Sequence, residues 1–491
     1  MSELNKLSLG GHLKFLAKDT AIYGIGGVFN KAIALITFPL LARHFSVQDY
    51  GLIDLLNTTV VLLVTLLVFG QDSAIARFFY EDKDTEYRRQ VVSQSFVFQM
   101  AILAFALPIL WLFADTIEVL MLASEEGGLI IKLMILQAPF FLFINFSQSL
   151  LKWTFKKWHF LFISVGSAVV TMIGLVVGIK FFELSVIDVF AIYLVTRTIF
   201  GLLGLWFVRQ WLSVPMGWNR LREMLPFAIP FGVICVLSAL LPVMERSIVQ
   251  SLLGSIELGL YAAGAKVAML VSLPVNAFQM TWGPFSLSIL KEANAAASYR
   301  FVLKIFTTLI FCIVLALSAI AEPVVRFLGS ERYEGAAVVV FALCMGQAIL
   351  AVGSITEIGI IFSKKSYLKL YGYGAMVLVA AIAIPVLSMT FGLVGAAWGS
   401  MMALLANTLV EAWLAQRAYP IAWSYVGPVL LGVATLLLGI IHQTMFGQFQ
   451  VVGVSFIPVI GIFVLLITGW LILFDAGERR RFISMLKIKN A

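Results

Sequence analysis

The sequence predicts an all-α, polytopic membrane protein of fourteen transmembrane helices, and three observations carry that expectation. Of 491 residues, 61% are hydrophobic and 12% charged, about half the charged share of an ordinary soluble domain. Apolar runs of membrane-spanning length recur from end to end. The basic residues gather in every second connection between those runs, as they do when alternate connections face the cytoplasm.

The first run, residues 20–42, is too long for the apolar core of a signal peptide. Arg43 and His44 follow it where a cleavage site needs small residues, so it reads as a mature helix. Runs at 51–70, 91–113, 128–150, 159–180 and 186–208 complete a first set of six. The seventh, 225–253, carries Pro226, Pro230 and Pro242, and the eighth, 258–284, carries Pro274. Proline removes backbone donors, so these two helices are expected to bend. Runs at 301–321, 336–362, 367–389 and 392–414 close a second set of six, and 425–441 and 451–474 follow as an appended pair. The expected organisation is a cytoplasmic segment at 1–19, an N-lobe at 20–222, a C-lobe at 223–416, additional helices at 417–476 and a basic tail at 477–491.

Of 34 Lys and Arg residues, 25 fall on the side of both termini, and only Arg43, Lys180, Arg326 and Arg332 fall on the other. Both termini are therefore expected in the cytoplasm. The net charge of +8 follows from this topology and from contact with an anionic inner leaflet. The basic residues are spread over short connections and form no single patch, so nucleic acid is not an expected partner.

The longest connection, 71–90, reads QDSAIARFFYEDKDTEYRRQ, too short for a catalytic domain. His12, His44, His159 and His442 all lie in or beside connections, whereas an intramembrane acyltransferase or metal enzyme needs such groups at catalytic depth. Cys235, Cys312 and Cys344 sit singly in apolar runs without CxxC spacing and read as small core residues. No enzyme, metal or cofactor is expected.

An internal repeat is legible. FSVQDYGLIDLL (45–56) aligns with LGSIELGLYAAG (253–264), and the Tyr87-Arg88 pair aligns with Tyr299-Arg300 at nearly the same offset. Runs one to six and seven to twelve then form homologous halves that both enter the membrane from the cytoplasm, an arrangement suited to rocking around a shared cavity.

Five basic residues remain inside the runs. Lys132 is close enough to an end to snorkel. Lys31, Arg197, Arg246 and Lys266 are deeper, two in each half. Glu245 and Lys266 each stand about ten residues from the turn between runs seven and eight, roughly 16 Å deep at 1.5 Å per residue. The bland reading is therefore a Glu245–Lys266 salt bridge that satisfies two buried groups. Glu245 and Arg246, adjacent on one helix, point about 100° apart and are not expected to pair. Arg246, Lys31 and Arg197 are left without an evident acid at matching depth, and such charges persist in a membrane where they line a wet cavity or meet an anion. A cationic cavity is the expectation, with Arg suited to the forked recognition of phosphate and Lys adding point charge. Glu357, about seven residues from a cytoplasmic end, and Glu411, one turn in, are expected to snorkel or to carry a coupling proton.

The stretches LLARHFSVQDYGLIDLL, FGQDSAIARFFYEDKDTEYRR, MERSIVQSLLGSIELGLYAAGAKVA and FSKKSY resemble the polysaccharide transport family. These are the O-antigen and exopolysaccharide flippases of the multidrug/oligosaccharidyl-lipid/polysaccharide exporter superfamily. The resemblance extends in order over runs one to twelve. It implies a V of two six-helix lobes that opens to either side. It also implies a substrate whose oligosaccharide hangs on a polyprenyl diphosphate, moved from the inner to the outer leaflet for cell-surface polysaccharide or lipopolysaccharide synthesis. Lys31, Arg197, Arg246 and Lys266 would then receive the diphosphate, and Glu245 and Glu357 would form a cavity salt bridge or couple transport to an ion, H+ or Na+. The expected setting is the bacterial inner membrane, with the lipid bilayer, the polyprenyl-diphosphate-linked glycan and polysaccharide polymerase machinery as partners. The alternative of the same fold is a cation-coupled multidrug exporter, which needs an acidic cavity; four deep basic residues against the one deep acid Glu245 disfavour it.

Overall fold

The computed structural model describes residues 9–122, 128–292, 294–444, 450–451 and 454–469. Contacts between Cα atoms divide the chain into two units, Met1–Val243 and Met244–Ala491. The sequence places its boundary at residues 222 and 223; the division found by contacts lies farther on, inside a continuous helix. The expected basic tail at 477–491 lies outside the described residues.

In the first unit the helices are α1 (Leu9–His44), α2 (Val47–Val68), α3 (Gln71–Phe78), α4 (Thr85–Leu112), α5 (Ala114–Leu122), α6 (Leu129–Trp153), α7 (Lys157–Phe181), α8 (Val186–Val208) and α9 (Asn219–Leu253), the last running on past the division. Local chemistry sets several starts. Ser46 caps α2 by accepting from the Asp49 amide, and Asp84 caps α4 by accepting from the Tyr87 amide. Ser185 and Asp188 form a reciprocal capping box at the head of α8.

The most extensive packing in this unit joins α6 to α8. It depends on two small residues of α8. A Cβ on Gly201 would stand 2.7 Å from the Phe140 carbonyl oxygen, and one on Gly204 would stand 2.3 Å from the Ser147 hydroxyl. Close approach of helices through small residues is the usual means of packing in lipid, where apolar burial alone gives no drive to associate. A second contact is polar. The Gln90 side chain donates to the Val214 carbonyl and accepts from the Met216 amide, Ser93 accepts from the Ser213 amide, and Gln94 accepts from the Leu221 amide. One face of α4 thus holds the connection between α8 and α9 and satisfies backbone groups that would otherwise be unpaired.

The second unit continues with α10 (Ser255–Ala268), α11 (Ser272–Ser288), α12 (Ala295–Ala319), α13 (Ala321–Gly329), α14 (Ala337–Thr356), α15 (Ile358–Phe362), α16 (Lys369–Ala418), α17 (Val426–Thr444) and α18 (Phe456–Thr468). Helix α14 is buried along most of its length and packs chiefly on α16. Residues Gln450–Val451 and Val454–Ser455 form a two-residue antiparallel pair just before α18.

Among the described residues, eleven helical stretches are long and apolar enough to cross a membrane, against the fourteen runs drawn from sequence. The differences have local causes. Runs eleven and twelve are the two arms of α16, Lys369–Ala418, which break at Gly392, whose φ of 58° and ψ of −139° fold the chain back so that Gly399 meets Ile384 and Gly372 meets Glu411. The first run lies within α1, Leu9–His44, of which the side chains of residues 9–25 are not described. The last contributes 13 described helical residues as α18, with 470–474 outside the described residues.

Candidate functional site

Helices α2, α6 and α8 build a basic centre in the first unit. Arg197 on α8 donates 2.5 Å to Gln137 Oε1 of α6 and 2.9 Å to Asn57 Oδ1 of α2. Its guanidinium carbon lies 4.5 Å from the centre of the Phe141 ring and 5.4 Å from that of Tyr193, within cation–π range. Gln137 is itself fully buried. Its amide nitrogen donates 3.2 Å to the Phe190 carbonyl, which points its oxygen at the arginine. The guanidinium is thus oriented by neutral acceptors and aromatic faces, so its hydrogen-bond partners leave its positive charge intact.

Lys31 is half-buried on α1, which packs on α7. The neighbouring Asn30 side chain donates 2.5 Å to Ser164 of α7. In the second unit Glu245 and Arg246 on α9 are 8% and 7% exposed, and Lys266 is half-buried on α10. Neither Lys31 nor Lys266 is an isolated charge; both are engaged by neighbouring groups.

One expectation is overturned. Arg246 Nη1 stands 3.4 Å from Glu245 Oε2, so the adjacent residues do pair. Their Cα–Cβ bonds diverge, but the arginine arm is long enough to swing back across the helix surface. Glu245 also accepts a short hydrogen bond from the Ser400 hydroxyl of α16, and the buried Tyr261 hydroxyl of α10 lies beside it. Part of the Arg246 charge is therefore compensated within its own helix.

Glu357 closes α14 and forms a 2.8 Å ion pair with Lys369, the first residue of α16. It also lines a cavity of about 250 Å³ with Gln279, Trp282, Ser286 and Ser354. Glu411 is 4% exposed and does not snorkel. Snorkelling needs a free path to the interface, and the backbone of Gly372 lies flat against this carboxylate.

The structure thus sets Lys31 and Arg197 in one unit and Arg246 and Lys266 in the other. The groups that orient Arg197, Gln137, Asn57 and Phe141, and Ser400, which donates to Glu245, were not singled out from the sequence. The available signal was an uncharged amide or hydroxyl within an apolar run, which is a weak signal because such groups also bond to their own helix, as Gln137 does to the Leu133 carbonyl.

Comparison with known proteins decides the family. The sequence profile described as "Polysaccharide biosynthesis protein" matches residues 16–290, more than half of the chain. The chain belongs to the polysaccharide biosynthesis protein family. An uncharacterized membrane protein of Haemophilus influenzae is 23% identical over 285 residues, 57% of this chain and 67% of that protein. Among solved structures, the lipid II flippase MurJ in its inward closed conformation aligns with a TM-score of 0.69 at 16% identity, over 92% of this chain and 97% of that one. An inward-facing multidrug resistance MATE family transporter of the MOP superfamily aligns at 0.65 with 14% identity, over 80% and 94%. At these identities the likeness is one of fold. This member of the family is therefore a multi-pass membrane protein with the fold of flippases and transporters.

Proposed function

We propose that the protein is a flippase that carries a polyprenyl-diphosphate-linked oligosaccharide from the inner to the outer leaflet of a bacterial inner membrane. It would act by alternating access, in the synthesis of a cell-surface polysaccharide such as O-antigen, exopolysaccharide or the glycan of lipopolysaccharide. The observation that carries this reading is Arg197, a guanidinium deep in an apolar bundle whose hydrogen-bond acceptors are two neutral side-chain amides. Holding a cation there is costly, and an anionic ligand repays that cost. A diphosphate matches the planar fork. Lys31, in the same unit, would add positive potential, and the other unit carries its own basic groups, Lys266 and the partly compensated Arg246. The bias of basic residues, 25 against 4, supports cytoplasmic termini and loading from the inner leaflet. The lipid bilayer holds the prenyl tail, polysaccharide polymerase machinery receives the product, and H+ or Na+ supplies the driving gradient.

The test is native mass spectrometry of the purified full-length protein with a polyprenyl diphosphate sugar, comparing wild type, Arg197→Ala and Arg246→Ala. Retention by wild type, with loss in Arg197→Ala and a smaller reduction in Arg246→Ala, is the expected result. Equal retention by wild type and Arg197→Ala would remove the anion site. Binding of a cationic dye in place of the lipid would move the protein to the multidrug-exporter reading and make Glu245 the residue of interest.

A further inference from the structure

The second unit holds a buried group that an anion site leaves unexplained. Glu411 is 4% exposed on α16, and Asn407, one turn before it, is fully buried. Among the described residues, neither amide atom of Asn407 has a hydrogen-bond partner, and neither has Glu411 Oε1. Asn407 and Glu357 both approach the Glu411 carboxylate without completing a well-formed bond to it. A Cβ on Gly372 would stand 2.4 Å from Glu411 Cγ and 2.9 Å from Oε1, so the carboxylate occupies a seat that only glycine leaves open.

The charges facing this seat are few. Glu357 comes from the end of α14; Lys369 and Tyr373, which acts on Lys369, come from the first turns of α16. The ammonium of Lys369 is committed to Glu357 at 2.8 Å. Two carboxylates therefore share one cation, Glu357 at the edge of the cavity and Glu411 buried behind it. A buried carboxylate beside a second one does not readily stay ionised, because repulsion and lost hydration act together against its charge. The second acid must take up a positive species.

We propose that Glu411 is a proton-binding site, with Asn407 as its hydrogen-bond partner and Glu357–Lys369 as its link to water in the cavity beside Trp282 and Ser286. Uptake transfers a proton from water to a Glu411 carboxylate oxygen and forms the neutral acid, whose hydroxyl donates to Asn407 Oδ1. Release returns the proton through Glu357 while Lys369 turns toward the newly formed Glu411 anion. The site lies where α14 and α16 pack, so its charge state sets how tightly the ends of those helices are held. A coupling role for this proton rests on the transporter reading above; its binding does not.

The experiment is infrared difference spectroscopy of the full-length protein in lipid vesicles, titrated in pH with and without sodium chloride, for wild type and Glu411→Gln. A protonated-carboxyl band present in wild type at neutral pH and lost in Glu411→Gln is the expected result, and Lys369→Met should enlarge it as Glu357 also becomes protonated. An identical band in Glu411→Gln would overturn the assignment. So would a carboxylate signal that responds to sodium and not to pH, which would make this a metal-cation site. Should Glu411→Gln fail to fold, Asn407→Leu keeps the carboxyl and must shift its band; an unshifted band would equally overturn the proposal. The readout needs no glycan, so it remains decisive if the lipid-binding test fails.

Discussion

Arg197 illustrates how a membrane protein keeps a charge usable. A carboxylate partner would cancel much of the field that draws an anion, whereas an amide oxygen fixes the geometry and leaves the charge. Gln137 is the more constrained of the two acceptors, since its other end is bonded to the Phe190 and Leu133 carbonyls. Replacing it, as Gln137→Leu, leaves one donor of a costly buried cation unmatched. Loss of such a bond costs about 1–3 kcal/mol. The expected outcome is a lower unfolding temperature in detergent, partly restored when a polyprenyl diphosphate is added, because the ligand supplies the missing acceptor. A drop that the ligand does not reverse would show that Gln137 serves α6–α8 packing alone. At Glu245 and Arg246 the same reasoning explains why the sequence misled: helix geometry gives the direction in which a side chain leaves the backbone, but not where a flexible arm ends.

Helices here are positioned by close contacts and by a few backbone breaks. In α16, Gly392 has a positive φ combined with a ψ of −139°, a region essentially confined to glycine, where other residues incur about 1–3 kcal/mol of strain. Gly392→Ala is therefore expected to destabilise by that order, seen as a lower thermal midpoint, while Gly374→Ala, whose added methyl group would meet open space, should be close to neutral. The sequence placed a boundary between runs eleven and twelve within a few residues of Gly392, because a break between apolar runs is visible in composition. It also placed the restart at 392; the left-handed φ at Gly392 itself was what it did not reveal. The amide row of α4 was illegible for a different reason. Gln90, Ser93 and Gln94 look like ordinary interfacial polar residues until the connection they hold is folded against them.

At the scale of the whole molecule, the arrangement of basic residues and the fold agree on a multi-pass protein, and the orientation can be checked directly. Single cysteines placed at Lys364 and Lys180, in a background without Cys235, Cys312 and Cys344, should be labelled by a membrane-impermeant thiol reagent from opposite faces of right-side-out and inverted vesicles. Labelling of both from one face would overturn the alternation of connections, and labelling from the exchanged faces would reverse the orientation. Fold class, membership of the helices and the even division of the deep cations between two units were legible because each rests on composition and spacing along the chain. The detailed surroundings of the cations were not, because lipid-facing and bundle-facing positions carry similarly apolar residues and helix rotation is set by packing. Amides do not titrate, so acidification or alkalinisation of the surroundings leaves the clamp around Arg197 unchanged. The direction in which that guanidinium points is thus set without regard to the acidity on either side of the bilayer.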